Sequence, residues 1–175
     1  MKKILVMSDS HGDYKIVKDL YNRYKDKVDF LFHNGDSELS SYDRLWRNFF
    51  VVGGNNDFSD FKDEQLIILD KDVILQTHGH HYGINFGLEQ LYLTAKKKKI
   101  TIVLFGHLHR YICEKYQGIL LVNPGSITQP RGIIQEKSYA ILDLDENVIK
   151  VQYYNRNHQP LKKLYFEFLR VKGQV

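Results

Sequence analysis

One unit recurs along this chain and limits what it can fold into: a short apolar run, then a loop rich in Asp, His, Asn and Gly. Ile4-Leu5-Val6-Met7 leads into Asp9-Ser10-His11-Gly12, and Phe30-Leu31-Phe32-His33 leads into Gly35-Asp36. Phe49-Phe50-Val51-Val52 precedes Gly53-Gly54-Asn55-Asn56-Asp57. Val73–Thr77 precedes His78-Gly79-His80, and Thr101–Phe105 precedes Gly106-His107-Leu108-His109. Runs this short, bounded by turn residues, read as buried strands rather than helices. Between them, Tyr14–Lys25 carries Ile16, Val17, Leu20, Tyr21 and Tyr24 at helical spacing. Gly87–Lys98 reads as a second helix, and Leu45-Trp46 as part of a short one.

Gln65–Leu69 and Val73–Thr77 pair around the turn at Asp70-Lys71-Asp72. The last third changes to strand-like runs: Ile112–Tyr116, Gly118–Val122, Tyr139–Asp143, Val148–Tyr154, and Lys163–Leu169 as an edge strand. Strand–helix alternation followed by strand runs predicts a mixed α/β domain with two stacked sheets and helices outside. The 175 residues suit one domain over 1–175, with no repeat, linker or low-complexity tract to divide them.

Hydrophobic residues make up 43% of the chain, enough for a substantial core. The net charge of +4 and pI near 9.0 suit an anionic substrate. A nucleic-acid footprint requires Lys and Arg gathered on one face; the one basic run, Lys96–Lys99, closes a helical pattern and is expected to be a solvated helix end. Cys113 is the sole cysteine, so no internal disulfide forms, which fits a reducing compartment. No stretch approaches the roughly 20 apolar residues of a membrane span, and the expected location is the cytoplasm.

The loops carry the chemistry. In open α/β sheets the loops at the carboxyl ends of strands converge on one crevice, so Asp9, His11, Asp36, Asn55, His78, His107 and His109 are expected in one place. Taken singly, each loop has a bland explanation. Asp-x-His can cap a helix, a histidine after a strand is commonly a packing residue, and Gly-Asn-Asn-Asp is a good turn. Five such loops in one small chain are hard to explain as independent caps and turns. The donors are imidazole, carboxylate and amide oxygen without sulfur, a set that suits Mn, Fe, Zn or Ni better than Ca or Mg. Seven ligands exceed one tetrahedral ion and fit two ions sharing a carboxylate, roughly 3.5–4 Å apart. With Asp9 and Asp36 as the anionic ligands, two divalent ions keep a surplus positive charge that favours phosphoryl chemistry.

On these motifs the sequence resembles the calcineurin-like metallophosphoesterases, and among them the small capless bacterial and archaeal phosphodiesterases of the YfcE type. The ordered set Asp-x-His, Gly-Asp, Gly-Asn-x-Asp, Thr-His-Gly-His and Gly-His-x-His spans residues 9–109. The likeness continues into Asn123-Pro124-Gly125-Ser126 and Pro130-Arg131. It implies a four-layer α/β/β/α sandwich of two mixed sheets flanked by helices. It places Asp9, His11, Asp36 and His109 around one divalent ion and Asp36, Asn55, His78 and His107 around a second, with Asp36 bridging and manganese the expected metal. The implied mechanism is in-line attack on phosphorus by a hydroxide between the ions, with Asn55 also reaching a phosphate oxygen.

Many members of that family carry His directly after the motif Asn, where it protonates the leaving oxygen. Here the residue is Asn56, which cannot act as a general acid. Such assistance is worth about 10²–10⁴-fold, so diesters or activated esters are expected over protein phosphoserine or phosphothreonine, a phosphodiesterase over a monoesterase, with a small phosphodiester or nucleotide-like molecule as substrate. His80 is the other proton source or a phosphate contact, Asp57 an orienting residue, and Arg131 a phosphate contact. His33 and His81 match no ligand position and are read as structural. His158 has no assigned role. The competing readings are a catalytically silent scaffold of the retromer-subunit type and a small nuclease. The intact ligand set speaks against the first and the short chain against the second. No interface stripe marks an oligomer, and a homo-oligomer remains compatible.

Overall fold

The computed structural model describes residues 1–170, so positions 171–175 of the single-domain expectation lie outside the described residues. Strand β1 (Lys2–Met7) explains the unbroken apolar run near the amino terminus. Ile4 and Val6 face the core between two sheets, while Leu5 and Met7 face helix α1 (Tyr14–Tyr24). A strand covered on both faces has no polar side. Strands β2 (Phe30–His33) and β3 (Phe50–Val51) run parallel to β1 on one flank. On the other flank β9 (Ser138–Leu144), β10 (Val148–Asn155) and β11 (Pro160–Leu169) continue antiparallel. The order is β11-β10-β9-β1-β2-β3, which leaves the Lys163–Leu169 run on an edge, as its pattern predicted.

The second sheet comprises β4 (Glu64–Leu69), β5 (Asp72–Thr77), β6 (Ile102–Leu104), β7 (Tyr111–Tyr116) and β8 (Ile119–Pro124), in the order β4-β5-β6-β8-β7. Its centre is parallel and its two edges antiparallel. Ile102 and Leu104 point between the sheets, and Val103 points toward helix α2 (Glu89–Lys97). α1 and a 3-10 turn at Arg44–Asn48 cover the first sheet, α2 covers the second, and the result is the expected α/β/β/α sandwich of two mixed sheets. Among the described residues no helix is long and apolar enough to cross a membrane.

One boundary is refined. α2 starts at Glu89 rather than Gly87, because Gly87 has φ +145°, outside the helical region. The Lys96–Lys99 run is exposed throughout, as expected of a solvated helix end, and two of its lysines also make surface contacts: Lys98 pairs with Glu64 at 2.8 Å, and Lys96 donates to Gln117 at 3.2 Å. That ties the end of α2 to both edges of its sheet. His158, without a role in the sequence reading, contacts Asp19 of α1 at 2.8 Å and the Tyr139 hydroxyl at 3.2 Å. It fastens the turn after β10 to the first sheet's helix.

Candidate metal centre

The carboxyl ends of β1, β2 and β6 point the same way, and their loops interlock. The backbone N–H groups of Asp9, His11 and Gly12 donate to the carbonyls of Gly35, Asp36 and Ser37 at 3.0, 3.0 and 2.8 Å. Asp9, His11, Asp36, His107 and His109 all have positive φ, between 41° and 67°. Left-handed geometry costs a non-glycine residue roughly 1–2 kcal/mol, and five such residues persist only because the surrounding bonds over-determine them. The Asp9 carbonyl is held from the other side by the hydroxyls of Ser126 and Thr128, each at 2.8 Å. Two glycines permit the close approach. A Cβ on Gly54 would lie 2.0 Å from Asp36 Oδ1, and one on Gly106 would lie 2.1 Å from Ser8 Oγ.

Asp9, His11, Asp36 and His109 present donor atoms within 4.8 Å of one another. Their hydrogen bonds define which way the lone pairs point. His109 Nδ1 donates to the Gln129 carbonyl at 2.8 Å, and His11 Nδ1 meets Glu38 Oε1 at 2.7 Å. With the proton fixed on Nδ1, each neutral ring aims the Nε2 lone pair inward. The two Nε2 atoms are 3.1 Å apart, and His109 Nε2 is 3.1 Å from Asp9 Oδ1. Metal–nitrogen bonds of about 2.1 Å at ordinary tetrahedral or octahedral angles put neighbouring donors about 3.0–3.4 Å apart. Electron-rich atoms facing one another at that spacing fit a shared cation. Both Asp9 carboxylate oxygens are buried with no hydrogen-bond partner, as is His78 Nε2. Unpaired buried groups of this kind are expensive, so the residues present fit a divalent metal.

The second half of the site adjoins the first through Asp36. His78 Nδ1 donates to the Asn34 carbonyl at 2.7 Å, and its Nε2 stands 3.4 Å from Asp36 Oδ2. The His78 and His107 rings lie 5.2 Å apart, and His80 flanks both at 5.4 and 6.3 Å. Burial pushes the Asp36 carboxyl up, but the close approach and charge of His78, with the Asn56 backbone and amide, outweigh it and hold the carboxyl well below its usual range. Burial pulls the His78 ring toward neutrality, yet Asp36 and Asp9 raise its pKa. The carboxylates therefore call for positive charge at His78 Nε2. Burial and the charges of His81, His78 and His107 lower His80 to about 4, which leaves it neutral at pH 7. Burial likewise lowers His107, with the His78 charge adding to the effect.

Asn55 is exposed in the loop after β3, and it is Asn56 that contacts the shared carboxylate. The Asn56 backbone N–H donates to Asp36 Oδ1 at 2.8 Å and its amide to Oδ2 at 2.6 Å. The Asp57 carboxylate faces away from the donors and accepts from Ser37 N–H and hydroxyl, Glu38 N–H and Gly54 N–H. It locks the second loop to the third. Arg131 is exposed, and its backbone N–H donates to the His109 carbonyl at 2.8 Å. His33 is fully buried, meets Ser10 Oγ at 2.9 Å, and packs edge-on against Trp46. His81 is exposed, stands 3.9 Å from Asp63 and lies against His80 with ring centroids 3.9 Å apart.

Glu38, Asn34 and Gln129 escaped the sequence reading. Glu38 sits two residues past the Gly-Asp motif and carries positive φ, a weak local signal. Asn34 and Gln129 act through backbone carbonyls, for which side-chain identity gives no signal. The Asn34 side chain is nonetheless buried and donates to the Phe105 carbonyl at 3.1 Å, which joins the loops of the two sheets.

Comparison with known proteins agrees with this geometry. The family model described as "Calcineurin-like phosphoesterase superfamily domain" matches residues 1–147. The chain is 38% identical over 162 residues to "Probable metallophosphoesterase YsnB" of Bacillus subtilis, covering 92% of this chain and 95% of that protein. It is 26% identical over 143 residues to "Phosphodiesterase MJ0936" of Methanocaldococcus jannaschii, covering 70% and 82%. Among solved structures, a Streptococcus pneumoniae protein described as a predicted phosphoesterase superposes with a TM-score of 0.94 at 44% identity, covering 97% of this chain and 98% of that one. Fold, donor geometry and sequence agree that this chain belongs to the calcineurin-like phosphoesterase superfamily.

Proposed function

We propose that this chain is a phosphodiesterase working as a single domain in the cytoplasm with two divalent cations, manganese foremost. The observation that carries the reading is the inward ring of lone pairs: His11, His109 and Asp9 atoms at 3.1 Å spacing, with the Asp9 oxygens and His78 Nε2 buried and unpartnered. Asp9, His11, Asp36 and His109 would hold one cation. Asp36, Asn55, His78 and His107 would hold the other. When bound, the pair supplies Lewis acidity toward a phosphoryl oxygen and lowers the pKa of water.

The chain's own residues do the rest. Asp36 is clamped by two Asn56 donors, so the shared carboxylate keeps one orientation. Asn55, exposed in the loop beside Asn56, would donate its amide to a phosphate oxygen as well as offer its carbonyl to the cation. His80, held neutral, contacts a phosphate oxygen through a ring N–H rather than delivering a full proton at pH 7. Asp57 positions the two motif loops. Arg131 stands at the rim, ready for an anionic group.

Proton supply limits the leaving group, and activated esters and diesters are preferred to alkyl monoesters. Asn56 cannot protonate a leaving oxygen and is already spent on Asp36, and the neutral His80 is a weak acid at pH 7. Substrates whose leaving group needs little protonation are favoured. The test is hydrolysis of bis(p-nitrophenyl) phosphate against p-nitrophenyl phosphate by chelator-stripped protein resupplied with Mn²⁺. A higher kcat/KM for the diester is expected. A higher value for the monoester would overturn the diester reading.

A further inference from the structure

A cavity of about 490 Å³ opens beside the candidate metal centre, and its two walls run directly into the ligand loops. One wall is the segment of Ile84 and Leu88. Between those residues, the Asn85 amide lies 3.0 Å from His107 Nε2. The other wall carries Arg110, the residue after His109, and Arg131, whose N–H is bonded to the His109 carbonyl. Ile133, fully exposed, stands at its edge. The cavity therefore begins where the ligands His107 and His109 end. Its volume falls within the roughly 300–1,000 Å³ of ordinary ligand pockets.

Its lining is mainly apolar, with Arg110, Arg131 and Glu114 as its charged members. Among the described residues, the arginine ion pairs engage Arg156 and Arg170, while Arg110 and Arg131 have no carboxylate partner. Glu114 lines the same cavity without pairing with either. The stem of Arg110 lies against Gly132, where an added Cβ would touch Arg110 Cβ at 3.5 Å, so the two arginine-bearing loops are packed together. Two free guanidinium groups beside an apolar wall match a ligand with an anionic end and a flat or apolar body.

The geometry points to this cavity as the seat of one arm of the diester, a nucleoside phosphate unit. Its phosphate meets Arg110 and Arg131, its base lies against the apolar wall by Ile84 and Leu88, and Glu114 accepts from a ribose hydroxyl or base amine. The inference rests on the phosphodiesterase reading and names its substrate class: a phosphodiester in which one arm is a nucleoside bearing a second phosphate and the other is a weakly basic leaving group that departs without a protein acid. One water is consumed, one P–O ester bond to that leaving arm breaks, the proton released by the water passes to solvent, and a phosphomonoester and the freed hydroxyl compound result.

The test is binding of adenosine monophosphate, adenosine and inorganic phosphate to the chelator-stripped protein by calorimetry, which needs no turnover. Adenosine monophosphate is expected to bind at least tenfold tighter than either fragment. Arg110→Ala is expected to weaken it roughly tenfold to a hundredfold, the range for a lost charge-assisted hydrogen bond, and an unchanged thermal midpoint shows that the fold is intact. Equal binding of the nucleotide and inorganic phosphate, or no effect of Arg110→Ala, overturns the inference. If the nucleotide binds as expected but bis(p-nitrophenyl) phosphate is not hydrolysed with Mn²⁺, the phosphodiesterase reading fails and the cavity keeps its ligand. If hydrolysis occurs and nucleotide binding does not, the cavity assignment alone fails.

Discussion

Replacing Asp9 by Asn should stabilise the protein without metal and abolish its stabilisation by metal. Three features push the same way. Both carboxylate oxygens of Asp9 are buried and unpartnered, and a buried unsatisfied group costs about 1–3 kcal/mol. The amide of Asn could donate across the 3.1 Å gap to His109 Nε2, whose lone pair faces it because Nδ1 is bonded to Gln129. Position 9 has φ 55°, a conformation Asn tolerates well. A gain of about 1–3 kcal/mol in a chain of this size raises Tm by roughly 2–12 °C. Wild type at a Mn²⁺ concentration a hundred times its Kd should gain about 2.7 kcal/mol, and Asp9→Asn should gain little. The assay is thermal unfolding followed by circular dichroism, in chelator and in Mn²⁺, for both proteins. A variant less stable than wild type in chelator, or one stabilised equally by Mn²⁺, would refute the view that Asp9 is buried to meet a cation.

Other perturbations separate ligands from the residues that hold them. Glu38→Gln leaves His11 in place but removes the carboxylate 2.7 Å from its Nδ1, and metal affinity should fall about 10–100-fold in a dialysis measurement. Gly54→Ala puts a methyl 2.0 Å from Asp36 Oδ1 and 2.5 Å from the Asp36 backbone nitrogen; the overpacking should cost about 1–3 kcal/mol of stability and lower metal affinity as well, read by urea midpoint and dialysis. His33, fully buried, has its pKa lowered to about 4 by burial, partly opposed by the charges of Asp57 and Asp9. Its neutral form is the folded one, so its contribution is complete above about pH 6.5 and is lost as pH falls toward 4, amounting to about 3 kcal/mol. Urea midpoints at pH 7.5 and 4.5 in chelator should therefore differ less for His33→Gln than for wild type.

The strands were legible wherever burial left a one-sided or two-sided mark. Ile4–Met7 and Thr101–Phe105 are unbroken apolar runs because sheet and helix cover both faces. β10 alternates because only one of its faces is covered. Strand order was not legible, since it depends on contacts far apart in the chain: β9 joins β1 across more than a hundred residues. The same division holds at the site. Asp9, His11, Asp36, His78, His107 and His109 stand out because few structural roles gather such residues beside glycines just after strands. Their supports do not stand out, because Asn34 and Gln129 contribute carbonyls that any residue possesses. The third loop was the least readable. Asn55 and Asn56 are adjacent and chemically identical, and only the turn geometry decides which amide reaches Asp36.

If buried donors around Asp36 hold two cations, hydrolysis of a phosphodiester depends on both. The rate of bis(p-nitrophenyl) phosphate hydrolysis by stripped protein titrated with Mn²⁺, followed alongside the metal content per chain at each point, tests this. Negligible turnover in chelator is expected, with a rate that reaches its plateau as the second equivalent of Mn²⁺ binds. A rate indifferent to chelator, or two bound equivalents without turnover of the diester, would rule out a two-cation phosphodiesterase.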